Sequence, residues 1–138
     1  MLTGRDGPNI LIVDDKPANI IALEAVLNST NYRILPAASG QEALAILEKE
    51  EIALILLDIQ MPRLDGDKAC QHIKEHSDVP VMLISGLGDT ATRALIAGAD
   101  SFLHKPFSLD DLYANITALL SGRTTSAAST AAFAGLAA

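Results

Sequence analysis

The sequence predicts an α/β fold, a doubly wound five-stranded parallel sheet built from five successive βα units. Three observations predict it. Five short apolar runs alternate with segments whose apolar residues recur at helical spacing. The middle run, "IALILLD", is apolar on both faces, as a central parallel strand must be. Four of the five runs also end in polar residues, so right-handed crossovers deliver Asp14 and Asp15, Asp58, Ser85 and Lys105 to one rim.

The first run is "NILIVD", residues 9–14. Pro17 then suits a first helical turn, where its missing N–H has no partner to lose, and Ile20, Leu23 and Leu27 follow at helical spacing. "YRILPAA" (32–38) is a weaker strand, and Pro36, which cannot donate to a ladder, assigns it to an edge. Ser39 and Glu42 form an S-x-x-E capping box for a helix with Leu44 and Leu47 inward. After "IALILLD" (52–58), Asp65-Gly66 leads into a helix carrying Ala69, Cys70 and Ile73. "VPVMLIS" (79–85) is the fourth strand, followed by Gly86, Gly88 and an Ala-rich helix ending near Gly98. "DSFLHK" (100–105) is the short fifth strand. Ser108 with Asp111 caps a last helix, whose Leu112, Ile116 and Leu119 share one face.

The 138 residues suit one domain with a sizeable core. Residues 1–8 read as an N-terminal extension, 9–121 as the domain and 122–138 as a low-complexity tail or linker, in which Phe133 and Leu136 suit a short docking helix. With 49% hydrophobic but only 4% aromatic residues, the core must be aliphatic. A net charge of -7 argues against a nucleic-acid surface on this domain. Cys70 is the single cysteine, which excludes an internal disulfide and a cysteine zinc cluster and fits a reducing compartment. No apolar run approaches the roughly 18 residues of a membrane span, and "MLTGRDGPN" lacks a signal-peptide core, so the expected location is cytoplasmic with no membrane contact.

The rim residues carry the chemistry. Two unit charges about 5 Å apart repel by roughly 3 kcal/mol at an effective dielectric near 20. Three carboxylates gathered there need compensation: Lys105 offsets one charge, and a divalent cation offsets two. Oxygen-only ligands suit Mg²⁺, which is commonly held by one or two carboxylates together with phosphate and water. A carboxylate in such a site can act as nucleophile and form an aspartyl-phosphate, with positioning and charge neutralisation supplying most of the catalysis.

"ILIVDD", "LLDIQMPRLDG", "VMLISG" and "FLHKPF" occur in that order. With them, the chain from about Asn9 to Leu120 resembles the receiver domain of two-component response regulators. The resemblance implies a flavodoxin-like strand order 2-1-3-4-5 and a phosphorylation switch that uses Mg²⁺. By the same resemblance Asp58 is the phosphoacceptor, Asp14 and Asp15 position the metal with Asp15 the direct ligand, and Gln60 contributes its backbone carbonyl. Ser85 and Lys105 bind the phosphoryl group, Phe102 is the aromatic switch, and the Lys105-Pro106 bond is cis. Implied partners are a histidine kinase or phosphotransfer protein. An output domain or downstream protein is reached through the Ala-rich helix, strand five and the last helix, and a homodimer is compatible with that surface. Two positions are less standard: Lys16 follows the acidic pair where an acid is common, and Phe102 lacks a hydroxyl.

Other readings carry less support. A haloacid-dehalogenase-type phosphatase wants D-x-D after its first strand, whereas "VDDKPA" has adjacent acids and the candidate nucleophile lies on strand three. A phosphate-free interaction module leaves the set Asp15, Asp58, Ser85 and Lys105 unexplained. Flavin binding lacks a phosphate loop after strand one. His72 and His76 have a metal-compatible spacing, but with Lys74 and Glu75 between them they read as a solvated helix face. Cys70 reads as a small core residue, and His104 has no assigned role.

Overall fold

The computed structural model describes residues 7–58, 66–86 and 98–121. Among them five strands form one parallel sheet: β1 (Asn9–Val13), β2 (Arg33–Ala37), β3 (Leu54–Asp58), β4 (Val81–Ser85) and β5 (Ser101–His104). Their order is β2-β1-β3-β4-β5, as expected. The described helices are α1 (Pro17–Val26), α2 (Gly40–Lys49), α3 (Gly66–His76) and α4 (Leu109–Ser121). Residues expected to form the Ala-rich helix, Gln60, Asp65 and the tail from Gly122 lie outside the described residues.

Alternation along the strands splits the core into two layers. Leu11, Val13, Ile55, Leu57 and Leu83 pack against Ala43 of α2 and Ala69, Cys70 and Ile73 of α3. Ile10, Ile12, Leu54, Leu56 and Ile84 face Ile20 of α1 and Leu112, Ile116 and Leu119 of α4. Strands β3 and β4 are buried at every position, which is why their sequences are unbroken apolar runs. The edge strand β2 tolerates Pro36, which is exposed opposite Ile12.

The helix starts follow their local chemistry. Ser39 Oγ accepts the Glu42 N–H at 3.1 Å, and Glu42 reaches back to the Ala38 N–H at 3.2 Å. Ser108 Oγ accepts the Asp111 N–H at 3.0 Å. Helix α1 instead has no side-chain cap on its first turn, and Pro17 starts it. At its other end the Tyr113 hydroxyl donates to the Val26 carbonyl at 2.7 Å, tying α1 to α4. Leu27, expected as part of the helical repeat, is fully buried in a 3-10 turn, Leu27–Ser29.

Two details differ from the sequence reading. Asp100 precedes β5 rather than forming part of it, and its Oδ2 accepts from the Val81 N–H and from Lys74 Nζ, each at 2.8 Å. Lys74 is therefore not part of a solvated face: it also donates to the Val79 carbonyl at 3.1 Å. Helical spacing shows a residue's neighbours on its own helix, not the loops beneath it, so this bridge was invisible in sequence. His72 and His76 are exposed, as expected. Gly98 takes φ 80°, a left-handed conformation that glycine adopts without strain.

Candidate functional site

The strand register builds the rim. Val13 pairs with Leu57, so one step further along the two strands brings Asp14 beside Asp58. Alternation points both carboxylates to the α1 and α4 face, because Asp14 shares the parity of Ile12 and Asp58 that of Leu56. Both are buried, at 1% and 3% exposure. Lys105 Nζ lies 2.6 Å from Asp58 Oδ2. That lysine is placed by its own backbone, whose N–H donates to the Ser85 carbonyl at 2.7 Å; the Lys105-Pro106 bond that follows is cis.

Asp14 shows the electrostatic tension of the arrangement. Its Oδ1 accepts the Lys16 N–H at 2.9 Å, while its Oδ2 is buried and has no hydrogen-bond partner among the described residues. Burial is the main force pushing its pKa up from 3.8 to about 6. The neighbouring Asp58 carboxyl pushes in the same direction, and the Lys16 N–H and the Asn19 side chain push back.

The sequence reading gathered three carboxylates; the structure buries two against each other and leaves Asp15 exposed on the rim. Among the described residues no three acidic, histidine or cysteine side chains are drawn together as a ready metal cage. The residues nevertheless fit a divalent cation, because a buried carboxylate oxygen with no partner among the described residues, beside a second carboxylate, is a donor set that a hard cation completes.

Ser85 is fully buried at the end of β4. It pairs with His104, and Leu83 pairs with Phe102, so Ser85 and Phe102 are diagonal neighbours on one sheet face. Phe102 is half-buried against the layer that contains Leu83. His104, to which no role was assigned, is exposed beside Ser85.

A cleft of about 520 Å³ opens between α1 and the segment after β5, with Asp58 and Lys105 among its lining residues. Sequence reasoning missed this cleft and missed Asn19, which lines it and also acts on Asp14. The available signal was the position of Asn19 in the first turn of a helix that begins directly after the acidic pair.

Comparison with known proteins gives a consistent result. A family profile described as the response regulator receiver domain matches residues 10–117. The protein named "Probable transcriptional regulator ycf27" of Cyanophora paradoxa is 42% identical over 113 residues, covering 80% of this chain and 47% of that protein. The chain thus spans about half the length of the curated relatives it matches. The receiver domain of a signal transduction histidine kinase from Syntrophus aciditrophicus superposes with a TM-score of 0.76 at 34% identity, covering 85% of this chain and 92% of that one. The response regulator TrrA of Thermotoga maritima, solved with Mg²⁺ and BeF, superposes at 0.74 with 29% identity, covering 83% and 100%. Sheet order, rim and relatives agree, and the chain belongs to the response regulator receiver domain family.

Proposed function

We propose that Asp58 accepts a phosphoryl group from the phosphohistidine of a histidine kinase or phosphotransfer protein, with Mg²⁺ bound, and that the change is passed to a partner surface. The observation that carries this reading is the buried Asp58 carboxylate in 2.6 Å contact with Lys105. An Asp58 oxygen attacks phosphorus, the P–N bond breaks, and the imidazole leaves with the bonding electrons. Lys105 then shifts its ammonium group from the carboxylate to the phosphoryl oxygens, and the Ser85 hydroxyl donates to another. Asp15, Asp14, Asp58 and the Gln60 carbonyl are the residues that would hold Mg²⁺, with Asp15 the direct ligand of the acidic pair. When bound, the ion neutralises charge on the transferring group.

In this reading the chain turns over only its own phosphoryl group and works in the cytoplasm. Its output is an attached region or a separate protein, and the transcriptional-regulator names of its relatives point towards control of transcription. The test is incubation with acetyl phosphate or beryllofluoride, with and without Mg²⁺, followed by mass or fluorescence readout. Labelling should need Mg²⁺ and vanish in Asp58→Asn; undiminished labelling of that variant defeats the assignment. Sustained turnover of p-nitrophenyl phosphate would instead favour a phosphatase.

A further inference from the structure

Helix α3 carries two histidines one turn apart, His72 and His76, and both are exposed. Their ring centroids stand 6.5 Å apart, with the ring planes tilted by 39°. Lys74 falls between them in sequence, yet at 3.6 residues per turn it lies about 180° round the helix from the pair. Its ammonium is held on that other side by Asp100 Oδ2 at 2.8 Å and by the Val79 carbonyl at 3.1 Å. The lysine therefore brings no positive charge to the histidine face, and it anchors the last turns of α3. Hydrogen bonding decides which ring nitrogen can act as a ligand. His76 Nδ1 lies 2.8 Å from the His72 carbonyl oxygen. A carbonyl only accepts, so Nδ1 carries the proton, and in the neutral ring the lone pair is left on Nε2. Metal-bound histidines are commonly held in this way, the second nitrogen donating to a backbone carbonyl.

We propose that His72 and His76 form a two-imidazole chelate on the outer face of α3 for a divalent transition cation, with Cu²⁺ held ahead of Ni²⁺ and Zn²⁺. Two nitrogens about 2.0–2.1 Å from one ion place their ring centroids roughly 5 Å apart. The pair closes to that spacing from 6.5 Å by a turn of the exposed His72 side chain. Among the described residues no third histidine, cysteine or carboxylate joins them in a cage, so water completes the coordination. Imidazole nitrogens with open positions give the order of ions, and they do not suit Mg²⁺, which takes oxygen ligands. Two fields favour a cation at this place: the net charge of -7, and the partial negative charge at the C-terminal end of α3, which closes at His76. On the same exposed stripe Glu75 adds to this attraction, and Lys68, one turn before His72, opposes it.

The test uses the full 138-residue chain without a histidine tag, titrated with Cu²⁺, Ni²⁺ and Zn²⁺ in a calorimeter, with excess Mg²⁺ present to occupy the acidic rim. One ion per chain should bind at the pair. His72→Gln and His76→Gln should each weaken it by at least about tenfold, because in a chelate the second nitrogen is delivered intramolecularly. His104→Gln, which changes the third histidine of the chain, should leave the affinity as it is. Unchanged affinity in the first two variants overturns the proposal. So does a pattern of two independent sites, in which each variant removes one and leaves the other at its original strength. Half an ion per chain overturns it too and gives the site to two chains jointly. A second measurement needs no variant: nitrogen NMR of the imidazole rings during a Zn²⁺ titration. Both Nε2 signals should move together while His76 Nδ1 keeps its proton; a response from one ring alone refutes the chelate.

Discussion

Asp14 has one oxygen on the Lys16 amide and the other buried with no hydrogen bond among the described residues, next to a second carboxylate. Burial, with the Asp58 carboxyl beside it, pushes its pKa from 3.8 up to about 6, on the order of 3 kcal/mol in favour of the protonated form. The raised value means that the folded state holds the proton more tightly than the unfolded chain. Below pH 3.8 both states are protonated and Asp14 costs nothing; stability then falls as the pH rises towards 6, and above 6 the full penalty of about 3 kcal/mol applies. In Mg²⁺-free buffer, Asp14→Asn should therefore stabilise the fold at pH 7.5 by up to about 3 kcal/mol, and the gain should disappear near pH 4. Urea unfolding of both proteins across this range measures it. A gain of equal size at both ends would show that Asp14 is not the source.

At the scale of elements, the two ends of β4 carry one prediction on stability and one on the proposed switch. The Asp100 carboxylate satisfies the backbone N–H that opens β4 and holds Lys74 of α3 above it. Removing it orphans an amide at the entrance of a central strand, whereas removing Lys74 leaves that amide bonded. Asp100→Ala should cost about 1–3 kcal/mol and more than Lys74→Ala does, as thermal or urea unfolding can show. At the opposite end, Ser85 and Phe102 share a sheet face. In the proposed switch, a phosphoryl group on Asp58 draws the Ser85 hydroxyl towards it through a charge-assisted bond worth roughly 1.5–3 kcal/mol. In the same proposal the vacated space admits the Phe102 ring. About 2 kcal/mol changes the population ratio some thirtyfold, enough for a switch but a leaky one, since Phe102 has no hydroxyl to fix its inward state. Ser85→Ala should leave Asp58 phosphorylatable while the ring no longer responds to beryllofluoride. Ring signals that shift as in the parent chain, followed by NMR, would refute the coupling.

For the whole molecule, the rim where Asp14 and Asp58 meet is a place where burial costs stability. Two carboxylates are buried together at the edge of an otherwise apolar sheet, and a ligand that relieves them must stabilise the native state. Mg²⁺ with beryllofluoride at a hundredfold excess over Kd should add about 2.7 kcal/mol, on the order of 10 °C in melting temperature for a domain of this size. Calorimetry with Asp58→Asn should show the beryllofluoride increment lost. An unchanged increment would place the ligand elsewhere.

Among the described residues, the succession of strands and helices, the edge assignment of β2 and the delivery of Asp14, Asp58, Ser85 and Lys105 to one rim were legible in the sequence. Each depends on short-range periodicity, on proline and capping chemistry, or on the fixed hand of βα crossovers, and these are local rules. The strand order was legible only through family resemblance, since periodicity does not rank neighbours. Tertiary structure alone decided that Asp14 and Asp58 meet while Asp15 stays exposed, because a register step and a side-chain parity set that contact. It also decided that Lys74 spans from α3 to the entrance of β4, and that Asn19, Leu23 and Phe107 line a cleft beside Asp58. Those contacts join residues far apart in the chain. Their energies come from desolvation and packing between elements, quantities that no local pattern in the sequence encodes.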